Sequence, residues 1–180
     1  VSVAAHSGAL FNSLAPRLRD MKVGLSKFVP VGNEADLSML DFLEYFIEDD
    51  DTGIIGLIIE GIADGDRFRA LADDARRLGK HIVALKLGRS KAGAGATEAH
   101  SSRLAGSARA FDALFREYNI ASVPTVEALA GACGVLLGTK PGARPKNTSL
   151  VSITTTGGGA SMMADFAEAR GIPLAGNPDG

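Results

Sequence analysis

Gly53-Ile54-Ile55-Gly56-Leu57-Ile58-Ile59-Glu60-Gly61 decides the fold. The run from Gly53 to Ile59 is strand-length and almost wholly aliphatic, with no polar alternation. That pattern marks a strand covered on both faces, as in parallel sheets sandwiched between helices. The run ends at Glu60, so a carboxylate stands at the carboxyl end of a buried strand. Open α/β sheets gather their ligand groups at that edge.

The segments on either side of this strand alternate in the same sense. Val1 to Ala5 reads as a short strand that runs into His6-Ser7-Gly8. Leu10, Phe11, Leu14 and Leu18 then share a helical face, with Ser7 as the N-cap and Gly8 allowing the chain to turn closely into the helix. Val23 to Val31 is strand-like, and Asp36 precedes a helix carrying Leu37, Leu40, Leu43 and Phe46. Asp49-Asp50-Asp51 reads as a solvated connector rather than a metal site, because no further ligand lies in view. Beyond the central strand come a helix with Phe68, Leu71, Ala72, Ala75 and Leu78, a strand from His81 to Leu87, and a glycine- and alanine-rich loop containing His100. A helical stripe (Ala108, Phe111, Leu114, Phe115, Tyr118), a short strand at 120–123 and a helix from Val126 to Leu137 follow. Regular alternation with short connections calls for a doubly wound parallel sheet. The flavodoxin-like strand order 2-1-3-4-5 suits it, and would bring Ser7-Gly8, Glu60 and His100 to one edge.

Composition narrows the function. A net charge of −2 lacks the basic field of a nucleic-acid surface. The 46% hydrophobic and 22% charged content is that of a globular chain. No apolar run reaches the length of a membrane span, no signal peptide opens the sequence, and a cytoplasmic protein is expected. The single cysteine, Cys133, lies in an apolar run and reads as a small core residue; no metal site is expected. The chain starts at Val1, in mid-strand, and reads as a fragment of something longer.

Three segments are expected: a flavodoxin-like domain over 1–138, a basic Pro/Gly-rich linker over 139–148, and the start of a second α/β unit over 149–180. In the last, Ser149 to Thr154 reads as a strand, and Thr155-Thr156-Gly157-Gly158-Gly159 turns into a helix with Met162, Met163 and Phe166. Such a turn presents backbone N–H groups at a helix N-terminus and suits a phosphate. It equally suits a tight turn and nothing more. His100, from its spacing alone, is either a solvent-facing histidine or a proton- or group-transferring imidazole.

These stretches together resemble the NDP-forming (ADP-forming) acyl-CoA synthetases, relatives of succinyl-CoA synthetase. The family's Ser-Gln-Ser-Gly-Ala-Leu turn is met by Ala5 to Leu10, and its Val-Gly-Asn-Glu-Ala-Asp by Val31 to Asp36. Its Asp-x-Leu-Glu-Tyr appears at Asp41 to Tyr45, its Tyr-x-Glu-Gly after the third strand is met in part by Ile58-Ile59-Glu60-Gly61, and its Lys-x-Gly-Arg-Ser appears at Lys86 to Ser90. The phosphohistidine motif Ser-His-Thr-Gly-Ala-Leu-Ala-Gly corresponds to Ala99 to Gly106, and the Thr-Asn-x-Gly-Gly turn and helix to Thr154 to Asp165. Ser101-Ser102-Arg103 stand where the family has Thr-Gly-Ala; Arg103 either helps hold a phosphate or marks a divergent member.

The resemblance implies a fragment of an acid–thiol ligase that makes acyl-CoA from a carboxylic acid, CoA and ATP through acyl phosphate and phosphohistidine. His100 would be the phosphorylated residue and Glu60 the carboxylate that orients its ring. Ser7, Gly8, Gly157, Gly158 and Gly159, at two helix N-termini, would hold the phosphate, since no lysine stands out as its partner. CoA and ATP with Mg would be substrates whose sites lie mostly outside this chain, with no permanently bound cofactor. The implied partners are CoA-binding and ATP-grasp domains or subunits and a small carboxylic acid; a homo-oligomer is expected, and the fragment alone is expected to be inactive. Two other readings stay open: a non-catalytic CoA- or acyl-CoA-binding or subunit-coupling module, and a flavodoxin-like nucleotide or flavin binder.

Overall fold

A computed structural model of the chain describes residues 1–101, 107–139 and 149–176, without the side chains of Glu98, His100 and Ser101. The 139–148 linker lies outside the described residues except for Thr139. By compactness the chain divides into Val1–Pro141 and Gly142–Gly180.

The first unit carries β1 (Ser2–Ala5), a 3-10 turn (Gly8–Leu10), α1 (Phe11–Asp20), β2 (Lys27–Pro30), α2 (Met39–Glu48) and β3 (Ile54–Ile59). It continues with α3 (Gly65–Arg77), β4 (His81–Lys86), α4 (Lys91–Ser101), α5 (Ala108–Glu117), β5 (Ala121–Val123) and α6 (Val126–Gly138). The strands form one sheet in the order β2-β1-β3-β4-β5, every pair parallel, as the alternation requires.

β3 is buried along its whole length, and its side chains alternate between two cores. Ile55, Leu57 and Ile59 join Leu43, Phe46, Phe68 and Phe115 beneath α2, α3 and α5. Ile54 and Ile58 join Leu14, Leu18, Leu129 and Cys133 beneath α1 and α6. Each fully buried aliphatic or aromatic side chain contributes roughly 1.5–3 kcal/mol, which is why this strand tolerates no polar residue. Gly56 interrupts the aliphatic run for a steric reason: a Cβ there would come within 3.0 Å of Val3 Cγ2 on β1. Cys133 is buried, as expected, and burial pushes its thiol up to about 11.

Several local readings change. The helix expected after Asp36 starts at Met39 and is capped by Ser38. Ser38 and Asp41 form a reciprocal capping box, which begins the helix two residues later and leaves Leu37 exposed. Ser7 occupies the N-cap position of the 3-10 turn, yet its hydroxyl makes no capping bond. His100 lies in the last turn of α4 and not in a loop; Ser90 Oγ accepts the Gly93 N–H (3.0 Å) and starts that helix despite the glycines at 93 and 95. Of the Asp49–Asp51 run, Asp49 is engaged by Lys27 (2.6 Å) and Thr52.

In the second unit, among the described residues, the stretch expected as a strand makes a single parallel bridge, Leu150 to Leu174. The bridge consists of Leu150 N–H to Pro173 O (2.8 Å) and Ala175 N–H to Leu150 O (3.0 Å). A strand needs neighbours along its length, and Val151 and Ile153 are 69% and 95% exposed. Between the bridged residues lies α7 (Gly157–Glu168), capped by Thr156 Oγ1 on the Gly159 N–H at 3.0 Å.

Candidate functional site

The carboxyl ends of β1, β3 and β4 adjoin in the sheet, and the polar groups there are nearly all buried. Glu60, the residue after β3, is 6% exposed. Among the described residues no hydrogen bond reaches its carboxylate, although both its backbone groups are taken. Its N–H donates to His6 Nδ1 at 3.1 Å. Its carbonyl accepts from Lys86 Nζ at 2.8 Å.

His6 joins the turn after β1 to two other segments. Because Nδ1 accepts a hydrogen bond from the Glu60 amide, the ring proton sits on Nε2, which donates to Glu34 Oε1 at 3.1 Å. That oxygen also accepts the Met39 N–H at 2.7 Å, so Glu34 caps α2 as well. Glu34 has φ +55°, a left-handed conformation uncommon for a residue with a side chain, and the Met39 and His6 bonds hold it there. The structure therefore brings Ser7-Gly8 and Glu60 together through the histidine between them. A cleft of about 80 Å³ opens alongside, lined by Glu34, Ser38, Met39, Gly61, Ile62 and Arg67.

Lys86 is 2% exposed. Its ammonium is held by the Glu60 and Leu87 carbonyls and lies 4.9 Å from the centre of the Phe111 ring. Burial pushes it below the ordinary lysine value, Arg89 adds to the fall, and the Glu60 carboxylate opposes it. Arg89 itself is paired with both oxygens of Asp112 at 2.7 Å, which ties the approach to α4 onto α5. His6 and Lys86 are the residues that sequence reasoning missed. His6 sits where the resembled motif has glutamine, and Lys86 was visible only as one letter of a motif.

His100 belongs to α4 by its backbone; its imidazole, and residues 102–106 beside it, lie outside the described residues. In the second unit, a Cβ on Gly159 would lie 2.5 Å from Thr154 Oγ1 and 2.8 Å from Thr156 Oγ1, so this glycine is required by its own turn. Gly157 and Gly158 meet nothing within 4 Å. Among the described residues no group of three or more His, Cys, Asp or Glu could hold a metal ion, and no helix is long and apolar enough to cross a membrane.

An all-parallel sheet in this order, with a buried carboxylate and a buried ammonium at its carboxyl edge, defines a flavodoxin-type α/β domain with a polar site. Over residues 1–136 the sequence matches the succinyl-CoA ligase like flavodoxin domain, and the chain belongs to that family. It is 35% identical over 175 residues to the ADP-forming acetate–CoA ligase I of Archaeoglobus fulgidus, covering 97% of this chain and 25% of that protein. It is 36% identical over 175 residues to the alpha subunit of the ADP-forming acetate–CoA ligase I of Pyrococcus furiosus, covering 97% of this chain and 37% of the subunit. Among solved structures, the dinucleotide-forming acetyl-coenzyme A synthetase 1 of Ca. Korarchaeum cryptofilum, in complex with phosphate and ADP, superposes with a TM-score of 0.81 at 32% identity. That superposition covers 99% of this chain and 38% of the other. The chain thus spans about a quarter to two fifths of the length of these relatives.

Proposed function

We propose that this chain is the phosphohistidine-bearing part of an ADP-forming acyl-CoA synthetase, an acid–thiol ligase. Family membership and the collinear order of the motifs support this, but one observation carries the site assignment. Glu60 is a buried carboxylate at the carboxyl end of the central strand, and no described residue hydrogen-bonds it. Its charge is felt by the Lys86 ammonium, and its oxygens keep the capacity to accept a ring N–H. An imidazole supplied by His100 is the partner that reading provides.

In the direction of synthesis, a ring nitrogen of neutral His100 attacks the γ-phosphorus of ATP, and ADP leaves with the electrons of the broken P–O bond. The carboxylate of the acid then takes the phosphoryl group, returning the imidazole and giving an acyl phosphate. The thiolate of CoA attacks the acyl carbon and expels inorganic phosphate. Glu60 accepts a hydrogen bond from the other ring nitrogen, which selects the tautomer and steadies the imidazolium as charge develops. The N–H groups at Ser7-Gly8 donate to the transferred phosphoryl oxygens; at the second helix N-terminus the donors are those of Gly157 and Gly158, the Gly159 N–H being held by Thr156 Oγ1.

CoA and ATP, the latter as its magnesium complex, are substrates bound mostly by CoA-binding and ATP-grasp parts beyond this chain, in one protein or as partner subunits. A homo-oligomer in the cytoplasm, where both substrates are at hand, goes with this reading, as does a small carboxylic acid as the third substrate. By itself the chain lacks turnover. The test is exposure of the full-length enzyme to labelled ATP: the expected product is an acid-labile, base-stable phosphate on His100. His100→Asn enzyme that still forms thioester at the original rate overturns the reading.

A further inference from the structure

We infer that His6 and Lys86 are positioning residues that clamp the Glu60 peptide from the two flanking strands and so fix where its carboxylate stands. The inference rests on the proposed role of Glu60 and assigns it two supports. On the β1 side the backbone ladder continues one step beyond the paired strands, through His6 N–H to Ile58 O (3.1 Å); on the β4 side it does so through Leu87 N–H to Ile59 O (2.8 Å). There it stops, because the chain bends away at Glu60-Gly61. Side chains from the ends of the same strands take over: His6 Nδ1 receives the Glu60 N–H, and Lys86 Nζ donates to the Glu60 carbonyl.

The direction of a residue's N–H reports its φ and that of its carbonyl its ψ, the two soft torsions of the backbone. Holding both groups leaves Glu60 little freedom beyond its own side-chain torsions, just where the ladder no longer restrains it. Each clamp is itself anchored. His6 is backed by Glu34 through Nε2, and Lys86 by the Leu87 carbonyl and the Phe111 ring. A lysine that only neutralised charge would have no need of two backbone carbonyls. A histidine that only filled space would have no need of an amide on one nitrogen and a carboxylate on the other.

The experiment is a set of double-mutant cycles in the full-length enzyme, reading the rate at which ATP labels His100 alongside the unfolding midpoint. Lys86→Met and His6→Leu are each expected to slow labelling about tenfold while Glu60 is present, the range typical of supports for a reacting group. In a Glu60→Gln background the same changes are expected to cost less than about twofold, because a support has nothing left to position. His6→Gln keeps an acceptor for the Glu60 N–H and a donor for Glu34, and is expected to stay within about threefold of the parent. Should Lys86→Met fail to fold, the His6→Leu cycle decides, and Lys86→Gln, which retains an N–H donor for the Glu60 carbonyl, is expected to stay near the parent as His6→Gln does. Equal losses in both backgrounds, or unchanged labelling in folded Lys86→Met and His6→Leu enzymes, overturn the clamp. The His100→Asn control fails separately: labelling that survives it overturns the histidine assignment, whereas additivity in the cycle overturns only the clamp.

Discussion

At the start of α2, Ser38 Oγ accepts the Asp41 N–H (3.3 Å), while Asp41 Oδ2 receives the Ser38 N–H (2.6 Å) and hydroxyl (2.7 Å). Glu34 takes the next amide, from Met39. In the turn after β1, by contrast, Ser7 stands at the N-cap with its hydroxyl making no capping bond. Both segments follow strands of one sheet, and both offer a serine to a helix start. The difference separates two uses of the same chemistry. The α2 terminus spends its donors on its own carboxylates and is a fixture of the fold. The turn at Ser7-Gly8 has no side-chain cap from its own serine, which is what the proposed phosphate site there calls for. The α7 terminus falls between: Thr156 satisfies the Gly159 N–H, and among the described residues no side chain accepts from Gly157 or Gly158.

That contrast is open to attack, and the strongest blow falls on α7. Gly159→Ala forces a Cβ against two threonine hydroxyls and displaces the cap. A lost cap of about 1 kcal/mol and overpacking of about 1–3 kcal/mol together predict marked loss of amide-exchange protection in the first turn of α7. The matched Gly158→Ala meets open space and is expected to gain up to about 1 kcal/mol of helix propensity. Equal behaviour of the two variants would show that the turn is not built around Gly159.

The second prediction concerns acid. Asp41 is lowered to about 2, first by the Ser38 backbone N–H, then by the Ser38 hydroxyl and Arg67. Its folded value lies below the unfolded 3.8, so its contribution to stability is present above about pH 4 and is lost as pH falls through about 2. The Asp41 carboxyl signal in NMR should titrate near 2, and Arg67→Met should raise that midpoint. A midpoint at the ordinary aspartate value would mean that the box around α2 does not close in solution.

The smallest stability effect should come from Ser7. Thr156→Ala is expected to cost about 1 kcal/mol, whereas Ser7→Ala should stay within a few tenths because no cap bond is lost. Ser7→Ala should nevertheless slow phosphate labelling of His100. A stability loss equal to that of Thr156→Ala would make Ser7 an ordinary cap.

The strand order and the two-faced core were legible because β3 announces itself: an aliphatic run that long has few other places to go. Its carboxyl-terminal Glu60 was legible for the same reason. What escaped depends on contacts remote in sequence. His6 reads as one polar residue in a turn until Glu34 and the Glu60 amide surround it. Lys86 reads as the end of a strand until the carbonyls of Glu60 and Leu87 converge on its ammonium. Helix α4 was hidden by Gly93 and Gly95, whose low propensity is outweighed by the Ser90 start and by the buried Thr97. The stretch after residue 149 carries strand-like residues, but among the described residues its pairing is the Leu150–Leu174 bridge, and propensity without partners builds no strand.

The sheet order also bears on how the chain is made. β2 pairs with β1, β3 takes the other side of β1, β4 joins β3 and β5 joins β4. Each strand leaving a ribosome therefore finds its neighbour already synthesised, and the sheet grows outward without waiting for a later segment. Leu150 is the exception, since its partner Leu174 emerges only after α7. During translation the first unit can be closed by α6 while the bridge at Leu150 is still unmade, so a ribosome paused between these points would display a protease-resistant domain trailing an unpaired segment.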